Sequence, residues 1–542
     1  GNLIFEEKIS HSYPVCWRCK SELIFRATEQ WFINVENINL RERLLEEVDK
    51  TKWIPAWSKE RIYNMIKTRP DWCLSRQRSW GVPLPILYCK KCKTPHIQKS
   101  TIDKVRDNVL KYGSDVWFEM DVKELVGDIK CEKCGHNEFE KEADIFDVWF
   151  DAALSHSAVV KKHKELRWPS DLYLEAVDQH RGWFQVSLIV STATDAKAPY
   201  KEVLTHGLIL DKNMKKMSKS LGNTFSPEMI CKKYGAEIVR LWFASIDYTS
   251  DAPFGEELLK TSLDTYFKIR NTIKFMLGNL GDNDIAGISI EKEKMHKLDR
   301  YILSKYAKIR NKILLYYDEY EFHKVFREFY NFIVNDLSSF YLDVLKDRLY
   351  TYANDSLERK SGLYTVYLLL DDILKQISPI LPFTAEQAYM YFKKPNKKKS
   401  IHIEIINNNF DSYLDEKIEN DFDFILSVRG NALMALEKMR NNGMIGKSIE
   451  ANINLNPHND ETKSLFEKYK EILSQIFIVS NVYINNESGE EFQDRKLSYT
   501  LKVEKAKGEK CARCWLYLDT VGHNSEHPHL CEKCVKVVTS EV

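Results

Sequence analysis

The chain has 542 residues, 44% of them hydrophobic and 29% charged, and a net charge of +1. That length outgrows a single hydrophobic core and predicts three or four domains, and a net charge near zero neither demands nor excludes nucleic acid, because local basic patches decide that question. No apolar run approaches the roughly 18 residues of a membrane span, and the opening Gly1-Asn2-Leu3-Ile4-Phe5-Glu6 has neither the charged nor the apolar region of a signal peptide; with no starting Met it reads as part of a longer reading frame.

Residues 1–70 combine a short strand-like run, Leu23-Ile24-Phe25-Arg26-Ala27, with a charged helical stretch from Asn39 to Lys50. Cys16 and Cys19 form the first of five C-x-x-C pairs. Residues 71–142 hold two more, Cys89/Cys92 and Cys131/Cys134, in a region punctuated by Pro and Gly, as expected of a small metal-stapled insert. Just before them, Trp72-Cys73-Leu74-Ser75-Arg76-Gln77-Arg78-Ser79-Trp80-Gly81-Val82-Pro83 offers two arginines that could meet phosphates, beside Trp, Gly and Pro positions suited to structure.

From 143 to 289 the texture becomes that of a parallel α/β sheet. Strand candidates lie at Ala143–Phe150, Leu172–Val177 and Val203–Leu210, with a helical pattern from Trp183 to Ala193 between the last two. One strand candidate ends at Glu175, with Asp178 just beyond and a helix opening after Gly182. Carboxylates there, at the C-terminal edge of a parallel sheet, are placed to hold an ammonium group or ribose hydroxyls; the plainer reading is helix capping. After Val203–Leu210 comes a polar loop and then Lys216-Met217-Ser218-Lys219-Ser220. Two lysines three apart with serines between suit a loop that clamps a polyphosphate, because ammonium groups neutralise charge that spreads onto phosphate oxygens. The alternative is an exposed basic loop.

Residues 290–400 turn helical. Ile302, Tyr306, Ile309, Ile313 and Tyr316 recur at steps of three and four, and Phe322, Phe326, Phe329 and Ile333 begin a second stripe. These aromatics predict a bundle core. Thr384 with Gln387 reads as an N-cap restarting a helix after Pro379 and Pro382. The run Lys393-Lys394-Pro395-Asn396-Lys397-Lys398-Lys399 reads as a solvated loop. Residues 401–505 are mixed α and β. Residues 506–542 hold Cys511-x2-Cys514-x16-Cys531-x2-Cys534, a strong ribbon-like zinc spacing in which four thiolates close the shell and make the site structural. Trp515 beside it could stack on a base or pack. Disulfide frameworks are not built from repeated two-residue spacings, so the cysteines point to metal and to a reducing, cytoplasmic compartment; Cys73 and Cys231 are left as free thiols.

Taken together, Lys216-Met217-Ser218-Lys219-Ser220 and Leu172-Tyr173-Leu174-Glu175-Ala176-Val177-Asp178-Gln179-His180-Arg181-Gly182-Trp183-Phe184 resemble signatures of the class I aminoacyl-tRNA synthetases, in the group that handles isoleucine, valine and leucine, with the isoleucyl members nearest. Leu298-Asp299-Arg300-Tyr301-Ile302-Leu303-Ser304 and Ile445-Gly446-Lys447-Ser448-Ile449-Glu450-Ala451 resemble the same family's anticodon-binding domain and the junction after it.

The resemblance implies a Rossmann-like catalytic core (second half) with a zinc-stapled insert, a helical anticodon-binding bundle, an α+β junction and a C-terminal zinc finger. The implied domains are 1–70, the end of the editing insertion; 71–142, core with zinc-binding insert; 143–289, second half of the catalytic fold with the lysine loop; 290–400, anticodon-binding bundle; 401–505, junction; and 506–542, zinc finger. It implies ATP-dependent activation of L-isoleucine and transfer to tRNA(Ile), by a cytoplasmic monomer with no membrane role, using ATP with Mg2+ and two structural zinc ions.

In that reading Lys219 stabilises phosphate charge with Lys216 as its partner, Met217, Ser218 and Ser220 complete the ATP loop, and Glu175, Asp178, Gln179 and Trp183 hold the isoleucyl-adenylate. Cys511, Cys514, Cys531 and Cys534 form one zinc site and Cys89, Cys92, Cys131 and Cys134 a second. Cys16 and Cys19 are a half-site whose partner pair would lie upstream. The family's His-Ile-Gly-His signature does not occur in the sequence, so this chain is expected to hold half a synthetic site and to lack most of the editing insertion. Ala176-Val177 and Ala152-Ala153-Leu154 replace small residues usual in the family. The rival readings are a valyl or leucyl enzyme, against which the C-terminal four-cysteine module argues, and a non-catalytic tRNA-binding paralogue.

Overall fold

A computed structural model of the chain describes residues 2–16, 19–217, 223–281, 288–406, 410–494 and 497–540. They fold as two compact units, Gly1–Leu208 with Thr249–Asp251, and Ile209–Tyr248 with Ala252–Val542.

The first unit is built on a three-stranded parallel sheet, with Tyr200–His206 at its centre between Lys52–Ile54 and Ser170–Ala176. Its register pairs Leu204 with Leu174, Thr205 with Glu175 and His206 with Ala176. The helix Trp183–Asp195 is buried over its whole middle, from Phe184 to Thr192, as a helix wedged inside an α/β core must be. Leu40–Lys50 and Trp57–Lys67 pack their apolar stripes (Leu44, Val48, Ile62, Ile66) into the same core as Trp53, Tyr173 and Val203.

The strand expected over 143–150 is cut short. Only Ile145–Phe146 is extended, and Val148–Ala153 is helical. The switch is made by Asp147, a buried carboxylate that accepts from the Trp149 N–H at 3.2 Å as an N-cap. It is itself held by Trp72 Nε1 at 3.1 Å and Arg76 Nη2 at 2.7 Å. The run Leu23–Ala27 forms no strand and lies exposed, since β-propensity without a neighbouring strand to pair with does not make a sheet. The insert expected between 71 and 142 is a small antiparallel sheet of Leu87–Cys89, Pro95–His96 and Phe139–Lys141. The helix Lys99–Tyr112 packs on it around Val105, Trp117 and Phe139.

The second unit is dominated by helices, Glu256–Leu280, Lys297–Asp318, Leu357–Ile377 and Glu416–Asn441 the longest among the described residues. The predicted stripe is largely the core: Ile302, Tyr306 and Ile313 are fully buried, with Ile309 and Tyr316 packed at its margin. The helix after Pro379 starts earlier than expected, at Pro382, and Thr384 lies inside its first turn. The capping role falls to Glu237, whose carboxylate accepts from the N–H groups of Phe383 (2.8 Å) and Thr384 (3.0 Å). Proline at N1 lacks one of the orphan donors, so a distant carboxylate serves the remaining ones. Beyond the bundle a four-stranded sheet runs Asn481–Ile484, Ala451–Pro457, Leu497–Lys505, Glu490–Asp494 in spatial order, covered by the helix Asp460–Phe477.

Two buried carboxylates tie the bundle together. Asp299 accepts from both terminal nitrogens of Arg348 (2.8 and 2.6 Å), from Tyr341 Oη at 2.8 Å and from Ser361 Oγ at 2.6 Å, with both ion-pair side chains fully buried. Asp372 accepts from Arg310 Nε and Tyr306 Oη, each at 2.8 Å. Burial opposes ionisation of Asp299, but Arg348 outweighs it and lowers its pKa overall. Its stabilisation is therefore present above ~4, the unfolded value, and is lost as pH falls through the lower folded value. Asp299→Ala leaves a buried guanidinium uncompensated and should destabilise the unit by about 3–5 kcal/mol, read as a lowered denaturation midpoint; a change under about 1 kcal/mol would show that the pair carries little of the bundle's stability.

Candidate active site and cysteine centres

The strand Ser170–Ala176 delivers Glu175 to the C-terminal edge of the parallel sheet, and the chain then makes one 3-10 turn, Val177–His180, before the helix Trp183–Asp195. Glu175 and Asp178 are both exposed, and neither is in an ion pair among the described residues. Gln179 is half-buried, and its Oε1 accepts from the Trp183 N–H at 3.0 Å, so the amide caps a helix whose N-cap, Gly182, has no side chain to do so. A side chain at Gly182 would displace both the capping amide and the ring packed against it. A Cβ would lie 2.5 Å from Gln179 Oε1 and 2.9 Å from the Trp149 ring.

Trp183 forms a rigid wall. Its ring stacks on Tyr173 at 4.0 Å and 9°, and its Nε1 donates to Ala152 O and Ser155 Oγ, both at 3.1 Å. The four predicted residues Glu175, Asp178, Gln179 and Trp183 thus converge on one strand-turn-helix junction. The residues that brace it escaped sequence reasoning. They are Tyr173 behind Trp183, Trp149 against Gly182, and His180, which is buried between Trp53 and Trp57 (6.3 and 6.1 Å) with Nδ1 facing Val177 O at 2.9 Å. Burial holds the His180 pKa below its ordinary value, favouring a neutral ring. The only advance signal was the aromatic density of this stretch.

The residues that replace expected small ones cause no backbone strain. Ala152, Ala153, Leu154, Ala176 and Val177 are all absent from the positive-φ positions, so none needs a glycine's freedom. Arg76 is committed to Asp147 and to the carbonyls of Cys73 and Ser75; Arg78 is exposed.

In the second unit, Leu210 and Lys216 form an antiparallel bridge around a tight turn, which leaves the Lys216 side chain exposed and Met217 half-buried. Ser218, Lys219 and Ser220 lie outside the described residues.

Both complete cysteine sets assemble. The sulfurs of Cys89, Cys92, Cys131 and Cys134 all lie within 4.8 Å of one another, as do those of Cys511, Cys514, Cys531 and Cys534. Four convergent thiols with no oxygen donor suit a closed tetrahedral ion. Three pairs share one turn. The N–H of the first Cys donates to the carbonyl five residues on, as in Cys89→Thr94 (3.0 Å), Cys131→His136 (2.8 Å) and Cys511→Leu516 (2.9 Å). The residue after the second Cys, Lys93, Gly135 or Trp515, has positive φ. Cys16 repeats the pattern, donating to Ser21 O at 2.7 Å with Lys20 at φ 63°. Among the described residues no second pair completes that set.

Residues 10–255 match the family tRNA synthetases class I (I, L, M and V), residues 299–455 the anticodon-binding domain of tRNA ligase, and residues 508–537 the zinc finger found in FPG and IleRS. Over residues 10–255 the chain thus carries a class I tRNA synthetase domain. It is 46% identical over 545 residues to an isoleucine–tRNA ligase of Syntrophotalea carbinolica, covering 99% of this chain and 58% of the relative. The ligase of the same name from Thermotoga maritima is 44% identical, over 100% of this chain and 59% of its own length. The chain therefore spans under two thirds of the length of the curated relatives it matches. Among solved structures, methionyl-tRNA synthetase of Mycobacterium tuberculosis in complex with methionyl-adenylate aligns with TM-score 0.51 at 15% identity, over 69% of this chain and 65% of that one, a likeness of fold.

Proposed function

We propose that this chain supplies the lysine-loop half of the synthetic site, and the tRNA-reading domains, of an isoleucine–tRNA ligase. The carrying observation is the pair of exposed carboxylates, Glu175 and Asp178, at the C-terminal sheet edge beside a capped helix start and an aromatic wall. In the reaction a carboxylate oxygen of L-isoleucine attacks the α-phosphorus of ATP, the bond to the β-phosphate oxygen breaks, and pyrophosphate leaves. A ribose hydroxyl at the 3′ end of tRNA(Ile) then attacks the acyl carbon and releases AMP. Mg2+ enters with ATP and shares the phosphate charge.

Glu175 and Asp178 fit the substrate ammonium and the ribose hydroxyls, and Trp183 an apolar side chain. Lys216 and Lys219 offset charge on the departing phosphates. No protein nucleophile is needed, only orientation and electrostatics. The setting is a reducing cytoplasm and the working form a monomer. In the full-length ligase, Lys219→Ala should lower the rate of isoleucine-dependent ATP–pyrophosphate exchange by at least about tenfold with little change in the KM for isoleucine. An unchanged rate would remove the loop from the activation step.

The two four-cysteine sets fit structural zinc, each stapling a module whose core is small. Elemental analysis should find two zinc ions per chain, falling to one in Cys531→Ser; a metal-free protein would refute the assignment.

The zinc finger also carries an RNA surface. Trp515 is 56% exposed, and the amines of Lys447 and Lys510 lie 5.9 and 5.7 Å from its ring centroid. A solvent-facing indole between two ammonium groups favours base stacking over packing. Trp515→Ala should weaken tRNA(Ile) binding by about 1–3 kcal/mol in a filter or anisotropy assay while amino-acid activation stays unchanged. Unaltered affinity would return Trp515 to a packing role.

A further inference from the structure

The indole of Trp183 is the last of four rings that cross the sheet of the first unit. Trp53 stands on the strand Lys52–Ile54, Tyr200 on Tyr200–His206 and Tyr173 on Ser170–Ala176, and Trp183 opens the helix that follows. Consecutive ring centroids lie 5.9, 4.8 and 4.0 Å apart, the first two contacts edge to face and the last a parallel stack at 9°. Trp53, Tyr200 and Tyr173 are buried. Two of them are also tethered, Trp53 Nε1 to Val48 O at 2.9 Å and Tyr200 Oη to Phe184 O at 3.0 Å. Trp183 is half-buried, and its Nε1 edge is held by Ala152 O and Ser155 Oγ. The edge of the indole is thus restrained by hydrogen bonds and its face by Tyr173. In a close-packed interior the indole cannot retreat unless Tyr173 moves, and Tyr173 cannot move without displacing Tyr200.

We propose that Tyr173 is a positioning residue that sets the depth of the amino-acid pocket: by backing Trp183 it decides how closely the wall meets the substrate side chain, and so how well isoleucine is told from valine. The inference rests on the ligase reading. The two amino acids differ by one methylene, and dispersion contacts are short-ranged. A gap of about 0.5–1 Å already forfeits a quarter to a half of a contact's attraction. A wall free to sink loses its hold on the extra methylene of isoleucine, while the shorter side chain of valine has less to lose. Tyr173 acts through Trp183 and touches neither substrate.

The test is ATP–pyrophosphate exchange by the full-length ligase with isoleucine and with valine, in the absence of tRNA, so that activation alone is read. Tyr173→Leu should lower the ratio of kcat/KM for isoleucine to that for valine by about fourfold, the discrimination of one buried methylene. The change should appear as a raised KM for isoleucine, with the KM for ATP held within about twofold. Tyr173→Phe keeps the ring and should keep the parental ratio. The ratio does not depend on how much of the enzyme is folded, so a loss of stability alone leaves it unmoved. If Tyr173→Leu does not fold, Tyr173→Met, nearer in volume, carries the same expectation.

An equal fall for both amino acids would reduce Tyr173 to a packing residue and overturn the proposal. So would a Tyr173→Phe enzyme that discriminates as poorly as Tyr173→Leu. A parental enzyme with no isoleucine-dependent exchange would end the ligase reading and this proposal with it. Parental exchange that is intact, with a ratio unmoved in the variants, would sink the proposal alone.

Discussion

The first unit depends on the register of two parallel strands. Backbone pairing between Tyr200–His206 and Ser170–Ala176 sets Thr205 opposite Glu175, and a slip of one residue would turn every side chain to the other face. Tyr173 and Glu175, two residues apart, share one face of their strand, so the register that buries the ring in the core with Val203 is also the one that brings the carboxylate to the sheet edge. The chemistry at the sheet edge and the packing beneath it are one decision. The helix start reinforces it, because Gln179 can cap Trp183 only where Gly182 lets the turn close against Trp149.

The second unit is specified differently. Its helices bury apolar stripes that could slide by a turn with modest loss, but the carboxylates of Asp299 and Asp372 each have named partners on other helices. A shifted bundle would strand those charges in an apolar interior, where an unpaired ion is far costlier than a lost methyl contact. The small modules solve a third problem. Neither the insert around Trp117 nor the finger around Val521 encloses much apolar volume, and convergent thiols supply the cross-link that a larger core would make unnecessary. The finger is also fastened to its own unit by Lys533 on Asp347 at 3.0 Å and by the Tyr517 N–H on Ser480 Oγ at 2.8 Å.

Much of this was legible in the residues because it follows from periodicity and spacing. The stripe through Ile302, Tyr306 and Ile313 needed only the helical repeat, and the eight thiols needed only counting. The strand to Glu175 and the helix from Trp183 carried both their pattern and their family resemblance. The misread parts are those decided by distant partners. Asp147 turned a promising strand into a helix because Trp72 and Arg76, more than seventy residues earlier, hold it as a cap. Glu237 replaced Thr384 as the cap of a helix far along the chain. Leu23–Ala27 had the composition of a strand and no neighbour to pair with. Tyr173, Trp149 and His180 brace the candidate site from positions that no local pattern marks as functional.

The recurring cysteine turn has a consequence for the finger. Its geometry demands a left-handed residue after the second thiol, a conformation that costs an L-residue roughly 1–2 kcal/mol. Glycine meets that demand at 135 without strain, whereas position 515 meets it with tryptophan. The same turn forms at Cys16 with Lys20, where no second pair among the described residues completes a set, so it is the backbone bond from the Cys511 N–H to Leu516 O that holds the indole in its outward pose. In the zinc-bound finger proposed above, ion and indole would share that one turn, and loss of the ion would loosen the presentation of the aromatic face before the bundle lost its shape.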